Sequence, residues 1–125
     1  MPDASRVFTV TTPPGNGVAT PVSYPLSLGL AEVVNCIITF PAGCSGLVGC
    51  QLMAAHTAAF PQQANTYLAF DDWVYPFGIT GQIQTGDWYL LAYNADYFPH
   101  TLQVVLEYDY VLTSAAPSPS FAVGI

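Results

Sequence analysis

Lysine is absent from this chain of 125 residues, and Arg6 is its one arginine. Charged residues make up 7% of the sequence, against about a quarter in an ordinary soluble domain. With a net charge of −7 the chain has nothing with which to neutralise a row of phosphates. That excludes nucleic acid as a partner and, for the same reason, an anionic membrane surface. A free monomer ordinarily carries more charge than this to stay soluble. The surface is therefore expected to consist of Thr, Ser, Gln, Asn, Pro and Tyr, with much of it covered by neighbouring chains.

Long hydrophobic runs are missing too, and every apolar stretch falls short of the roughly 20 residues that span a bilayer. Met1–Ser5 shows no basic start followed by an apolar run, so the chain reads as one not exported by a signal peptide. Cysteine is sparse: Cys36, Cys44 and Cys50 are odd in number and their C-x7-C-x5-C spacing matches no zinc or redox pattern. Reduced, buried thiols are expected, with a Cys44–Cys50 bridge as the alternative. Nucleophile, base and orienting group are not assembled anywhere. The only histidines are His56 and His100, and Gly43-Cys44-Ser45-Gly46 imitates a nucleophile elbow only loosely. His100 follows Phe98-Pro99 and opens a long strand, so a hydrogen bond to a turn is its expected task. The acids Asp71, Asp72, Asp87, Asp96 and Asp109 match no calcium loop and no paired acid and base, and read as solvated turn acids. No catalytic residue, metal or cofactor is therefore assigned.

What is present points to strands. Hydrophobic residues make up 52% of the chain, enough for one core, and 125 residues suit one domain. From Thr101 to Thr113, apolar Leu102, Val104, Leu106, Tyr108, Tyr110 and Leu112 alternate with a wetter set, the period of an antiparallel strand with one buried face. Further strands are expected at Val7–Thr12, Val18–Leu28, Glu32–Phe40, Leu47–Thr57, Thr66–Asp72, Gly81–Gln84 and Trp88–Tyr93, with a helical turn within Val48–Ala59 as a local alternative. Turn formers such as Pro13-Pro14-Gly15-Asn16-Gly17 and Asn94-Ala95-Asp96 separate them. The fold class is all-β: an antiparallel sandwich, jelly-roll-like, at residues 1–113, with residues 1–5 as an N-terminal arm. Residues 114–125 form a Pro/Ser spacer and an apolar C-terminal arm.

Candidate interface positions follow from breaks in this pattern. Pro21 and Pro25 cannot donate to a ladder, so their segment is an edge or bent strand. Val105 and Val111 interrupt the polar face of the long strand. Trp73-Val74-Tyr75-Pro76-Phe77 is irregular and carries proline, so Trp73, Tyr75 and Phe77 are expected on a loop, where such rings suit a protein partner or a sugar. Core packing is the competing role, more so for Trp88 than for Trp73. Beyond the Ser114–Ser120 spacer, Phe121, Val123 and Ile125 are apolar again, as a docking arm would be; a frayed tail is the plain alternative.

The segment from Asp87 to Thr101 leads through Tyr93-Asn94-Ala95-Asp96 into the long strand. Together with the lysine-free, Pro/Gly/Thr-rich remainder over residues 6–113, it resembles small virion structural proteins of tailed bacteriophages, in particular head decoration or cement proteins. That resemblance is one of style and rests on no diagnostic motif. It implies a protein made in the host cytoplasm and located in the virion, without catalytic or cofactor residues. It implies binding to the major capsid protein or another virion protein, as a homo-oligomer with a trimer favoured. A tail or spike component, or a carbohydrate-binding adhesion module, is the alternative.

Overall fold

A computed structural model describes residues 3–63, 66–80 and 83–111. Two antiparallel sheets pack face to face. Among the described residues nine strands run in chain order: β1 (Ala4–Thr12), β2 (Val22–Pro25), β3 (Ala31–Phe40), β4 (Val48–Ala54), β5 (Thr57–Phe60), β6 (Trp73–Gly78), β7 (Gln84–Thr85), β8 (Trp88–Asn94) and β9 (His100–Tyr110). Sheet A has the order β1-β9-β3-β6, with β7 beside the start of β3; sheet B has the order β2-β8-β4-β5.

The connectivity is that of one long hairpin rolled on itself. Its tip is the two-residue turn Ala55-His56 between β4 and β5, set by the pair Ala54–Thr57. Outward from the tip, β3 meets β6, β2 meets β8 and β1 meets β9. Successive pairs fall alternately in sheets B and A, and β3·β9 and β4·β8 join them within each sheet. Residues at opposite ends of the described chain thus become neighbours, as in Ala4 opposite Tyr108.

Period two in the sequence becomes two layers in space. The inward set of β9, Leu102, Val104, Leu106 and Tyr108, is buried against Val33, Cys36, Ile38 and Phe40 of β3 within sheet A and faces Leu52, Trp88 and Leu90 of sheet B. Trp88 is buried and its indole N–H donates to Ala31 O at 3.0 Å, which gives the ring's one polar atom a partner and ties β8 to the start of β3. The three cysteines are free and buried. Burial pushes the Cys36 and Cys50 thiols well above their usual range, so they stay protonated as small apolar groups.

Several expectations need correction. The loop expected over Trp73–Phe77 is strand β6. Tyr75 and Phe77 pair with Ile38 and Cys36 and point into the sandwich, while Pro76 is tolerated because β6 lies at an edge of sheet A. Thr66–Asp72 is no strand; Leu68 alone bridges to Cys50, continuing the sheet edge where β5 stops short. Val18–Leu28 reduces to Val22–Pro25, and Val48–Ala59 forms a hairpin without a helical turn. The long strand closes at Tyr110, which is 57% exposed although the alternation assigns it to the buried face; Leu112, the last of that set, lies outside the described residues. Ala4 and Ser5, placed in a terminal arm above, pair with Tyr108 and Glu107 in β1.

Gly49 gives the first prediction. It points outward from β4, and the Tyr93 ring, opposite it in the ladder, lies across the space a side chain would fill. Tyr93 in turn takes the edge of Tyr67 at 5.2 Å and 87°. Gly49→Ala must expel that ring, an overpacking that costs about 1–3 kcal/mol. In a Tyr93→Ala background the same change should be nearly neutral, and urea unfolding of the four proteins in the cycle measures the difference.

Candidate functional site: a braced loop end with exposed aromatics

Antiparallel strands place the β1–β2, β3–β4, β5–β6 and β8–β9 connections at one end of the sandwich, and side chains rather than bulk hold that end together. Asn94, the last residue of β8, is fully buried. Its amide N–H groups donate to Thr12 O at 3.1 Å and Phe98 O at 2.8 Å, and its Oδ1 accepts from the Asp96 amide at 2.9 Å. One side chain thus fastens the end of β1 and both limbs of the β8–β9 turn. The Asn94 backbone also exchanges bonds with Asn16, and Gly15 N–H donates to Asp96 O.

Asp96 supplies the second fastening. Its Oδ1 accepts from the Tyr97 amide at 2.7 Å and its Oδ2 lies 2.7 Å from His100 Nε2, the turn contact expected of His100. Thr12 Oγ1 donates to His100 O at 2.9 Å. The neighbouring loops are tied likewise: Asp71 Oδ1 accepts from the amides of Gly43 and Ser45, and Asp72 N–H donates to Pro41 O. Cys44 lies buried between these ties, its thiol pushed up by burial and by the nearby Asp71 and Asp96 carboxylates.

This frame holds two rings out into solvent. Tyr97 is 91% and Phe98 68% exposed, although the backbone on both sides of them is pinned. Val18, Leu47 and Trp73, on the adjoining connections and at the start of β6, are exposed at the same end. Its carboxylates are Asp71, Asp72 and Asp96, while the one arginine is engaged elsewhere: Arg6 donates to Ser27 O at 2.7 Å and lies 5.1 Å over the Phe8 ring. The end is thus apolar at its tip and acidic behind it. Among the described residues no group of three or more His, Cys, Asp or Glu stands close enough to hold a metal ion.

Of the positions named from sequence, Trp73 lies at this end and the others are scattered. Tyr75 and Phe77 join Phe60 and Phe70 in a panel of rings that closes one side of the sandwich, with Phe60 and Phe77 stacked at 4.2 Å and Phe70 and Tyr75 at 5.0 Å. They are half-buried and committed to packing; Trp73 at the panel's margin is 55% exposed. Pro25 is exposed and Pro21 half-buried, both on or beside β2, which is an edge of sheet B as expected. Val105 is half-buried on the outer face of sheet A. Val111 is half-buried just past β9, its N–H donating to Leu30 O. Phe121, Val123 and Ile125 lie outside the described residues. Tyr97 and Phe98 were not selected from the sequence, yet a signal existed: two aromatics enclosed by Asn94-Ala95-Asp96 and Pro99 sit in a turn, where no strand parity can carry them into a core.

Hydrogen bonding to His100, and then to the Tyr97 amide, holds the Asp96 carboxyl below its usual value of 3.8. A depressed carboxylate contributes its stabilisation fully above the unfolded-state value and loses it as pH falls through the lower folded-state value. The turn should therefore stay fastened from neutral pH to about pH 4 and loosen only below it. NMR titration of the Asp96 carboxyl carbon should give a midpoint under 3.8, with the Tyr97 amide shifting in parallel.

No known protein-family model matches the chain, and no curated protein matches it.

Proposed function

We propose that this chain is a non-enzymatic virion structural protein, a capsid decoration, cement or minor capsid protein, that stabilises a shell by protein–protein contact through its loop end. On this reading it works as a homo-oligomer, a trimer being favoured. The observation that carries the proposal is the braced display of Tyr97 and Phe98. Exposed aromatics on a pinned backbone are what an interface anchor requires, since little further ordering is needed when a partner closes over them.

Two further facts support it. The two antiparallel sheets, β1-β9-β3-β6 over β2-β8-β4-β5, form a β-sandwich, and we read its nested hairpin pairs as jelly-roll-like, an architecture used by viral capsid and lectin domains. A fold of this kind hosts several functions, so it supports the reading without carrying it. The lysine-free composition suits a surface that a neighbour covers, and it disfavours nucleic acid and anionic membranes as partners. Particles banded on a density gradient from the source culture should contain the chain in a fixed copy number per shell, measured by quantitative mass spectrometry. A chain found only in the soluble fraction would sink the proposal.

A carbohydrate-binding adhesion module is the second reading, favoured by one observation: Trp73 is 55% exposed with its ring tilted 31° against Phe70, a platform on which a sugar ring can stack. Glycan binding that is lost in Trp73→Ala would select it over the shell.

A further inference from the structure

The cross-strand register of sheet A sets Val7 of β1 opposite Val105 of β9, Val105 opposite Ile37 of β3, and Ile37 opposite Pro76 of β6. All four point away from the core and form an apolar band across the whole outer face, with Val7 58% exposed. Across β1, β9 and β3 polar rows bound it, Thr9, Gln103 and Thr39 on one side and Ser5, Glu107 and Asn35 on the other, while on β6 exposed Val74 extends it. Where Ile37 and Pro76 meet Gly78 the face sinks into a depression of about 290 Å³, floored by Cys36 and Phe77 and walled by Asn35 and Glu107. A cavity of roughly 150 Å³ holds benzene, so this one has room for an aromatic ring.

We propose that this band is the seat for residues 121–125 of a second copy of the chain. It rests on the homo-oligomer part of the reading above and is independent of the loop end. Phe121-Ala122-Val123-Gly124-Ile125 alternates large and small residues, so an extended strand would present Phe121, Val123 and Ile125 on one side. Its four steps of about 3.4 Å cover roughly 14 Å, and the three gaps of about 4.8 Å between the four strands of the band cover the same distance. The segment laid across the strands therefore spans the band from edge to edge, with Phe121 or Ile125 over the depression.

The spacer is long enough to carry the segment to another molecule. Described structure ends at Val111, bonded to Leu30 O, at the end of the sandwich opposite the braced loops. Residues 112–120 at about 3.1 Å each reach roughly 28 Å when extended, and Pro117 and Pro119 favour extension over the reversal needed to return to the same sheet. No charged side chain occurs in residues 112–125, so the side chains of the arm add no repulsion toward a body of net charge −7.

Two full-length variants test this by complementation. One loses the arm through Phe121→Ser, Val123→Ser and Ile125→Ser together; the other loses the seat through Val105→Glu. Sedimentation velocity should show wild type associating at a concentration at least tenfold lower than either variant alone. An equimolar mixture should form a hetero-oligomer, because the seat-less chain still offers an arm to the arm-less chain. Should Val105→Glu unfold the protein, Gly78→Phe replaces it: a Cβ there meets Asn35 Oδ1 at 3.7 Å, ordinary contact, and the ring fills the depression. Variants that associate like wild type, a wild type that stays monomeric, or a mixture that fails to combine would each overturn the proposal. None of these changes touches Tyr97 or Phe98, so shell binding through the loop end is read separately.

Discussion

Replacing Asn94 with alanine should destabilise the protein by about 2–4 kcal/mol, because each buried polar group left without a partner costs roughly 1–3 kcal/mol. The substitution strands Thr12 O, Phe98 O and the Asp96 amide together. Of these, Thr12 is buried and water reaches it least, so its carbonyl contributes most to the loss. Asn94→Asp is expected to be no milder: it restores the acceptor for the Asp96 amide but sets a carboxylate against two carbonyl oxygens that need donors. Urea unfolding gives the energy, and the amide shifts of Tyr97 and Phe98 show whether the turn has lost its shape. A cost below about 1 kcal/mol would mean that the turn is held by its backbone bonds alone.

The second large effect is on binding rather than on folding. Tyr97→Ser with Phe98→Ser removes two rings that are largely exposed in the free chain, so stability should change by no more than about 0.5 kcal/mol. Affinity for the shell partner should fall by about 2–4 kcal/mol, or roughly 30- to 1000-fold, the range expected when central aromatic anchors are truncated. Retained stability with lost binding separates this outcome from that of Asn94→Ala, in which the rings remain but their support is gone. A double variant that binds like wild type would place the contact elsewhere on the surface.

Local pattern carried part of this architecture and long-range pairing the rest. β8 and β9 were legible because each alternates cleanly between a buried and a wetter face, as Leu102, Val104 and Leu106 do, and β3 because it alternates on either side of the irregularity between Val33 and Asn35. β6 was not, because Pro76 and the exposed Trp73 and Val74 break the alternation that Tyr75 and Phe77 obey; only the partner strand β3 and the rings of Phe60 and Phe70 make it a strand. The nested pairing of β1 with β9 depends on contacts between residues a hundred positions apart, to which no local preference points. The candidate site divides in the same way. Val105 was visible as an apolar break in a polar face, but the band it belongs to needs Val7, Ile37 and Pro76 brought into register by three strand pairings. Tyr97 and Phe98 were visible as a turn. What distinguishes them is Asn94 and Asp96 bonding backward and forward along the chain, and the bond from Asn94 to Thr12 O needs the ends of β8 and β1, which lie in different sheets, to meet.

The most direct test places a photoreactive benzoyl-phenylalanine at position 97, with the same group at position 89 on the outer face of sheet B as control. Purified particles carrying each protein are irradiated and the adducts identified by mass spectrometry. The account predicts a crosslink to the shell protein from position 97 and little or none from position 89. Crosslinking from position 89 alone, or no adduct from either on particles that contain the chain, would contradict it.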